Sequence, residues 1–146
     1  MRLRRTVRTG EVVNKSEEEW RRQLTPDQYR VLRRAGTERP FSSDLADGHA
    51  DGTYRCAACD AALFSSETKF ESGTGWPSFF APDRDGAVST HRDVGIAGLR
   101  TEVRCSSCGS HLGHVFRDGP RPTGQRYCIN GCALRLDRDS EAEGPS

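Results

Sequence analysis

Apolar and polar residues follow different textures along this chain, and each texture predicts a different kind of element. Residues 1–14 are polar and basic without a period, and predict a flexible or loosely docked arm. Ser16, with Glu19 three residues on, carries a capping-box signature, so a short helix is expected from Glu17 to Gln23. Thr25-Pro26 repeats the start signal: a cap residue followed by Pro at the first helical position. The second helix should cover Pro26 to Ala35, carry Tyr29, Val31 and Leu32, and stop at Gly36. Thr37 to Gly52 is interrupted by Pro, Ser, Asp and Gly and reads as a loop.

From Thr53 onward the elements become short strands and turns. Thr53–Cys56 and Ala61–Phe64 predict a strand and its return. Gly86–Thr90 and Leu99–Cys105 alternate apolar and polar positions, as half-buried strands do. His111–Phe116, Gln125–Ile129 and Ala133–Leu136 complete the set. Many short strands with Gly and Pro between them predict a mainly β, antiparallel domain over 15–136, with short N-terminal helices. The stretch 137–146, rich in Asp, Glu, Gly, Pro and Ser, predicts a disordered tail.

Composition changes this picture in two ways. At 146 residues, 34% hydrophobic and 29% charged, one domain is expected with a thin core that needs a staple. The near-equal 22 basic and 21 acidic residues argue against a nucleic-acid partner, which would call for a basic excess. No apolar run approaches a membrane span, and Met1 to Arg5 lacks a following apolar segment, so neither a membrane helix nor a secretory signal is expected. The expectation is a cytoplasmic chain whose thiols stay reduced.

The staple is legible in the cysteines. Cys56 with Cys59, and Cys105 with Cys108, form two Cys-x-x-Cys knuckles, the spacing that lets one tight turn aim two sulfurs at a single ion. A turn-tolerant residue follows each second cysteine, Asp60 and Gly109. A redox pair would stand alone and open a helix within a βαβ unit. The pairs therefore predict one structural zinc joining two distant hairpins, with iron in the same four-thiolate site left open. Cys128 and Cys132 remain outside it.

Three segments hold more chemistry than packing demands. Five of the chain's eleven aromatics fall between Phe64 and Phe80, and Trp76 stands between Gly75 and Pro77, where a loop can present its indole to a cleft. Phe70 and Phe79 read as core. His111 and His114 lie three apart, so in a regular strand they face opposite sides unless Gly113 breaks the pleat. Arg126, Cys128 and Asn130 share one strand face, while Tyr127 and Ile129 share the other. A cation and an amide beside a thiol suit a nucleophile, because an ordinary cysteine is mostly protonated near neutral pH. A methyl sulfoxide is one substrate that fits: its methyl packs on an indole, its oxygen needs donors, and thiolate attack on sulfur leaves a sulfenic acid. Peroxide reduction and acyl transfer suit the same residue types.

Cys56–Cys59, Ser72–Phe79, Thr101–Cys105, His111–Phe116 and Arg126–Asn130 together closely resemble the B-type peptide-methionine (R)-S-oxide reductases. The resemblance covers residues 15 to 136 in order. It implies two antiparallel sheets with short N-terminal helices, and a structural zinc on Cys56, Cys59, Cys105 and Cys108. It implies Cys128 as nucleophile and Trp76 as the wall of the methyl pocket. His111 and His114 would assist proton delivery, with Arg126 and Asn130 completing the site. The substrate would be methionine-R-sulfoxide in oxidised proteins, with thioredoxin or another thiol as reductant, and the enzyme would act as a monomer.

One departure matters. Many family members carry a resolving cysteine where this chain has Thr74. Cys132 is the extra thiol, but in an extended chain it lies about 13 Å from Cys128 between Cα atoms, and a disulfide needs less than about 7 Å. A turn at Asn130-Gly131 would close that gap and make Cys132 a resolving cysteine, with an inert, packed Cys132 as the alternative. The competing reading, from a different class, is a non-catalytic zinc-stapled β module that binds a partner. An activated thiol beside paired histidines counts against it.

Overall fold

Both helix start signals act as read. In the computed structural model, which describes residues 12–46, 50–95 and 98–138, helix α1 runs Glu17–Gln23 and helix α2 runs Pro26–Arg34. Each opens on a reciprocal capping box. Ser16 Oγ accepts the Glu19 N–H while Glu19 accepts the Ser16 N–H, and Thr25 and Gln28 repeat the exchange. The expected stop shifts by one residue. Ala35, not Gly36, takes the left-handed conformation (φ 55°), and the Gly36 N–H closes onto the Arg30 carbonyl at 2.9 Å.

The arm residues 1–11 and the tail residues 139–146 lie outside the described residues. Where the arm becomes described it is docked: the Val13 N–H donates to the Ser107 carbonyl at 2.7 Å.

Among the described residues eight strands follow: β1 Gly52–Cys56, β2 Ala62–Ser65, β3 Ser78–Phe79, β4 Val88–Gly95, β5 Gly98–Cys105, β6 His111–Phe116, β7 Arg126–Ile129 and β8 Leu134–Arg138. They form two antiparallel sheets, ordered β2-β1-β8 and β3-β7-β6-β5-β4. β8 runs two residues past Leu136, so the tail boundary expected at 137 moves. Asp137 and Arg138 pair with Thr53 and Gly52, and Arg55 Nε donates to Asp137 at 2.9 Å. Polar composition hides such a strand, because its partner holds it in place. The two-residue β3 exists for the same reason.

The two cysteine knuckles are built alike. The Asp60 N–H returns to the Cys56 carbonyl and the Gly109 N–H to the Cys105 carbonyl, at 2.8 and 2.9 Å. Asp60 and Gly109 both have positive φ, as the turn requires. One knuckle ends β1 in the small sheet; the other ends β5 in the large one.

Between the sheets lies the core. Tyr54, Phe64 and Phe79 are fully buried, with Phe64 stacked on Phe79 at 4.4 Å between centroids. Val103, Leu112 and Ile129 close the layer from the large sheet. Phe79 is core as expected, whereas Phe70 is only half-buried. α2 packs on β6 and on the 3-10 turn Gly131–Ala133, which brings the loop after α2 against the end of β7. Among the described residues no helix is long and apolar enough to cross a membrane.

Candidate active site

Cys128 sits mid-strand in β7, paired across to His114 on β6 and to Ser78 on β3. Tyr127 and Ile129 are buried on the core side, and Arg126 and Cys128 take the other face. Over that face opens a cleft of about 270 Å³ lined by Thr74, Trp76, His114, Arg126, Cys128 and Asn130. Thr37 and Arg100 also line it, with no sequence pattern pointing to them, as does Phe116 at the end of the His111–Phe116 segment.

The two histidines correct the expectation of opposite faces. The β5–β6 register shifts between Val103 and Arg104: Val103 faces Gly113 and Arg104 faces His111, leaving Leu112 as an extra residue. Such a bulge resets the alternation, so the rings meet edge to face with centroids 5.4 Å apart. Gly113 is required beside it for another reason. A Cβ there would stand 2.1 Å from the Cys128 carbonyl oxygen, so only glycine lets β6 lie this close to β7.

Each ring is held by its own carboxylate. His111 Nδ1 lies 2.7 Å from Glu102 Oε2, and His114 Nε2 lies 3.0 Å from Asp93 Oδ2. Arg104 and Arg100 donate to those carboxylates in turn, at 2.8 and 3.4 Å. His111 is 5% exposed, and its Nε2 has no hydrogen-bond partner among the described residues. Burial holds the His111 pKa below the usual imidazole value, against the upward pull of Glu102. The hydrogen bond with His114 holds the Asp93 carboxyl below its usual range, and Arg100 assists.

Opposing influences act on the thiol. Burial pushes Cys128 up, while the contact with Thr74 Oγ1 at 3.9 Å and the Arg126 guanidinium pull it back down. Arg126 also donates Nε and Nη2 to the Asp118 carboxylate at 2.9 and 3.2 Å, and lies 4.4 Å over the Phe116 ring. Thr74 belongs to a short hydroxyl chain, with Ser72 Oγ lying 2.8 Å from Thr74 and 2.7 Å from Ser78.

Glu38 escaped the sequence reading, since a carboxylate in a loop carries no pattern. It is 7% exposed, and the Trp76 indole N–H donates to its carbonyl at 3.1 Å. Its own N–H donates to Asn130 Oδ1 at 2.9 Å, while Asn130 Nδ2 donates to the Leu112 carbonyl at 3.0 Å.

Cys132 sits in the turn Gly131–Ala133, outside the cleft lining. Burial and the Glu38 carboxylate push its thiol up to about 12.

The other four cysteines converge away from the cleft. All four sulfurs lie within 4.8 Å of one another and are buried. The Cys56–Cys108 and Cys59–Cys105 separations are 3.8 and 3.6 Å. A tetrahedron with metal–sulfur bonds of about 2.3 Å has edges of about 3.8 Å, so the donor set fits a four-thiolate metal ion. Ser110 Oγ lies 3.0 Å from Cys108 Sγ, and Arg33 Nη1 donates both to that oxygen and to the Cys108 carbonyl.

A mainly β domain with a four-cysteine cluster and a separate thiol cleft is the class that fold and site define. The sequence model of the SelR domain family matches residues 24–138, and the chain belongs to that family. A protein of Leptospira interrogans named peptide methionine sulfoxide reductase MsrB is 57% identical over 127 residues, 87% of this chain and 97% of its own length. Its namesake in Agrobacterium fabrum is 59% identical over 126 residues, 86% of this chain and 93% of its own. That of Methanosarcina mazei is 57% identical over 129 residues, 88% and 92% respectively.

Proposed function

We propose that this chain reduces the R epimer of methionine sulfoxide in oxidised proteins to methionine, with Cys128 as nucleophile. Methionine sulfoxide reduction itself, an oxidoreductase activity, is what its family and relatives support. One observation carries the finer reading: a thiol, an indole wall, a guanidinium and a carboxylate-bound imidazole face a single cleft.

The sulfoxide methyl would pack against Trp76, with the oxygen turned toward the histidines on β6. The Cys128 thiolate attacks the sulfoxide sulfur, and the oxygen takes a proton. His114, which lines the cleft with its ring fixed by Asp93, is the acid at hand, and His111, outside the lining and fixed by Glu102, packs against it from behind. The protonated oxygen then passes from the substrate sulfur to Cys128 as the bond between the two sulfurs breaks, so methionine leaves and Cys128 becomes a sulfenic acid. The enzyme sulfur is oxidised by two electrons and the substrate sulfur is reduced by two. A thiol reductant attacks the sulfenic acid and releases water, and a second thiol frees Cys128 as the reductant's disulfide forms. We assign that role to thioredoxin or another dithiol of a reducing, cytoplasmic compartment, with 15–138 acting as one catalytic domain in a monomer.

Cys132 is assigned a packing role rather than a resolving one. Its raised thiol is a weak nucleophile, and it does not line the cleft. The metal is proposed to be zinc. When bound on Cys56, Cys59, Cys105 and Cys108 it supplies a structural clamp between the knuckles, with no part in the chemistry.

The test is turnover of a methionine-R-sulfoxide peptide with dithiothreitol, with the S epimer run alongside. Expected are turnover of R alone, its abolition in Cys128→Ser, and a rate within about twofold in Cys132→Ser. A folded, metal-loaded protein that turns over neither epimer would overturn the proposal in favour of a zinc-stapled binding module.

A further inference from the structure

The loop after α2 makes more contacts to the cleft than its sequence suggests, and they converge on Glu38. The carboxylate accepts two successive backbone N–H groups, Gly131 at 2.6 Å and Cys132 at 2.9 Å, at the start of the turn after β7. Those donors open a 3-10 turn and have no partner inside it, so a buried carboxylate satisfies them and is itself compensated by them. The backbone of the same residue serves two cleft walls. Its N–H holds Asn130, and its carbonyl holds the Trp76 indole. Asn130 passes the connection on to Leu112, the bulge residue that brings the two histidines together.

A second clamp three residues on acts on the same wall. Phe41 takes a positive φ of 62°, a costly conformation for a residue with a side chain. Its N–H donates to the Gly75 carbonyl at 2.7 Å. Its ring lies so close over Gly75 that a Cβ there would come within 2.8 Å of it. Trp76 is thus gripped by the loop on both sides, through its own indole and through the residue before it. The loop is thus held at two points, by Glu38 on the turn after β7 and by Phe41 on Gly75.

We infer that Glu38 is a positioning residue for this cleft. Its carboxylate locks the loop that holds the Trp76 wall to the strand end that carries Asn130, and so sets the fit of the substrate's methyl side without activating the thiol. The inference rests on the proposed sulfoxide reduction for its kinetic consequence alone. The geometric consequence stands apart from it: removal of the carboxylate releases the Trp76 indole from its carbonyl partner.

Glutamine offers one acceptor oxygen where two are used, and turns an NH2 donor toward the other N–H, so Glu38→Gln keeps half of the anchor. Alanine keeps none. Neither variant alters Thr74, Arg126 or Asp118, the groups whose contact and charge bear on the Cys128 thiol.

The experiment compares wild type, Glu38→Gln and Glu38→Ala by three readouts. These are kcat and KM on a methionine-R-sulfoxide peptide with dithiothreitol, the alkylation rate of Cys128 by iodoacetamide, and the Trp76 indole N–H signal by NMR. That signal is assigned by its loss in Trp76→Phe, and Trp20 serves as the internal reference. In Glu38→Ala, kcat/KM should fall about tenfold, mostly through KM, and in Glu38→Gln about threefold. The Trp76 signal should shift and exchange faster in the same order while Trp20 stays in place. Alkylation should remain within about twofold of wild type.

Kinetics within about twofold of wild type in Glu38→Ala would overturn the inference. So would an unmoved Trp76 signal, or an alkylation rate that falls as far as turnover does. If Glu38→Ala does not fold, the same three readouts on Glu38→Gln decide. If wild type itself shows no turnover, the proposed function fails, and the Trp76 signal alone decides the role of Glu38.

Discussion

At Cys128 burial and charge act against each other, and the balance leaves the thiol harder to ionise than an ordinary cysteine. At neutral pH the resting group is therefore mainly the thiol, and the reactive thiolate fraction grows as pH rises toward the raised pKa. Alkylation of Cys128 by iodoacetamide should accelerate throughout that range. Arg126 opposes the rise, so Arg126→Gln should move the whole rate–pH profile to higher pH and slow alkylation at pH 7. A profile that stays put, or moves to lower pH, would remove Arg126 from thiol activation. Residues of this kind are legible in a sequence. Arg126, Cys128 and Asn130 fall on one strand face by simple alternation, and the structure brings Arg126, Cys128 and Asn130 to one cleft. Glu38, Asp93 and Glu102 are not legible. A carboxylate in a loop or on a half-buried strand looks like a surface charge until its hydrogen-bond partner arrives from elsewhere in the chain.

Among the elements, β6 depends most on a single atom's absence. Gly113 faces Ile129 and lies against the Cys128 carbonyl. Gly113→Ala forces a methyl into backbone that cannot swing aside, so β7 must move. We expect a loss of about 2–4 kcal/mol in denaturant unfolding and loss of turnover together. Retention of both would show that the β6–β7 approach is looser than the structure describes. The helices present the opposite case. Their starts follow from capping partners three residues apart, so both are legible in the sequence. The one misplaced detail, the helix stop, arose because Ala35 accepts the left-handed conformation and frees Gly36 to approach the Arg30 carbonyl. β8 was underestimated at its end because Asp137 and Arg138 are strand residues by pairing with β1, not by propensity.

For the whole molecule, the four-cysteine cluster carries the largest consequence. One knuckle ends a strand of the three-stranded sheet and the other ends a strand of the five-stranded sheet, so an ion between them joins the two layers over a modest core. Removal of the metal by a strong chelator under reducing conditions should lower Tm by at least about 10 °C, because the binding free energy of a structural site is folding free energy. Cys105→Ser should reproduce the loss without chelator. An unchanged Tm after verified metal removal would show that the core alone holds the sheets together.

The chain by itself determined what depends on neighbours in sequence: two capped helices, the strand faces, the twin knuckles and the nucleophile segment. All of these are set by caps, turn chemistry and alternation over a few residues. Tertiary structure decided what depends on register and long-range approach. The bulge at Leu112 turned two histidines expected on opposite faces into one edge-to-face pair. The fold also brought Glu38 to Trp76, 38 residues on, and to Asn130 and the turn after β7 across more than ninety residues of chain. Alternation says which way a side chain points in a regular strand. It carries no information on where pairing will slip, or on which distant backbone group a buried carboxylate will meet.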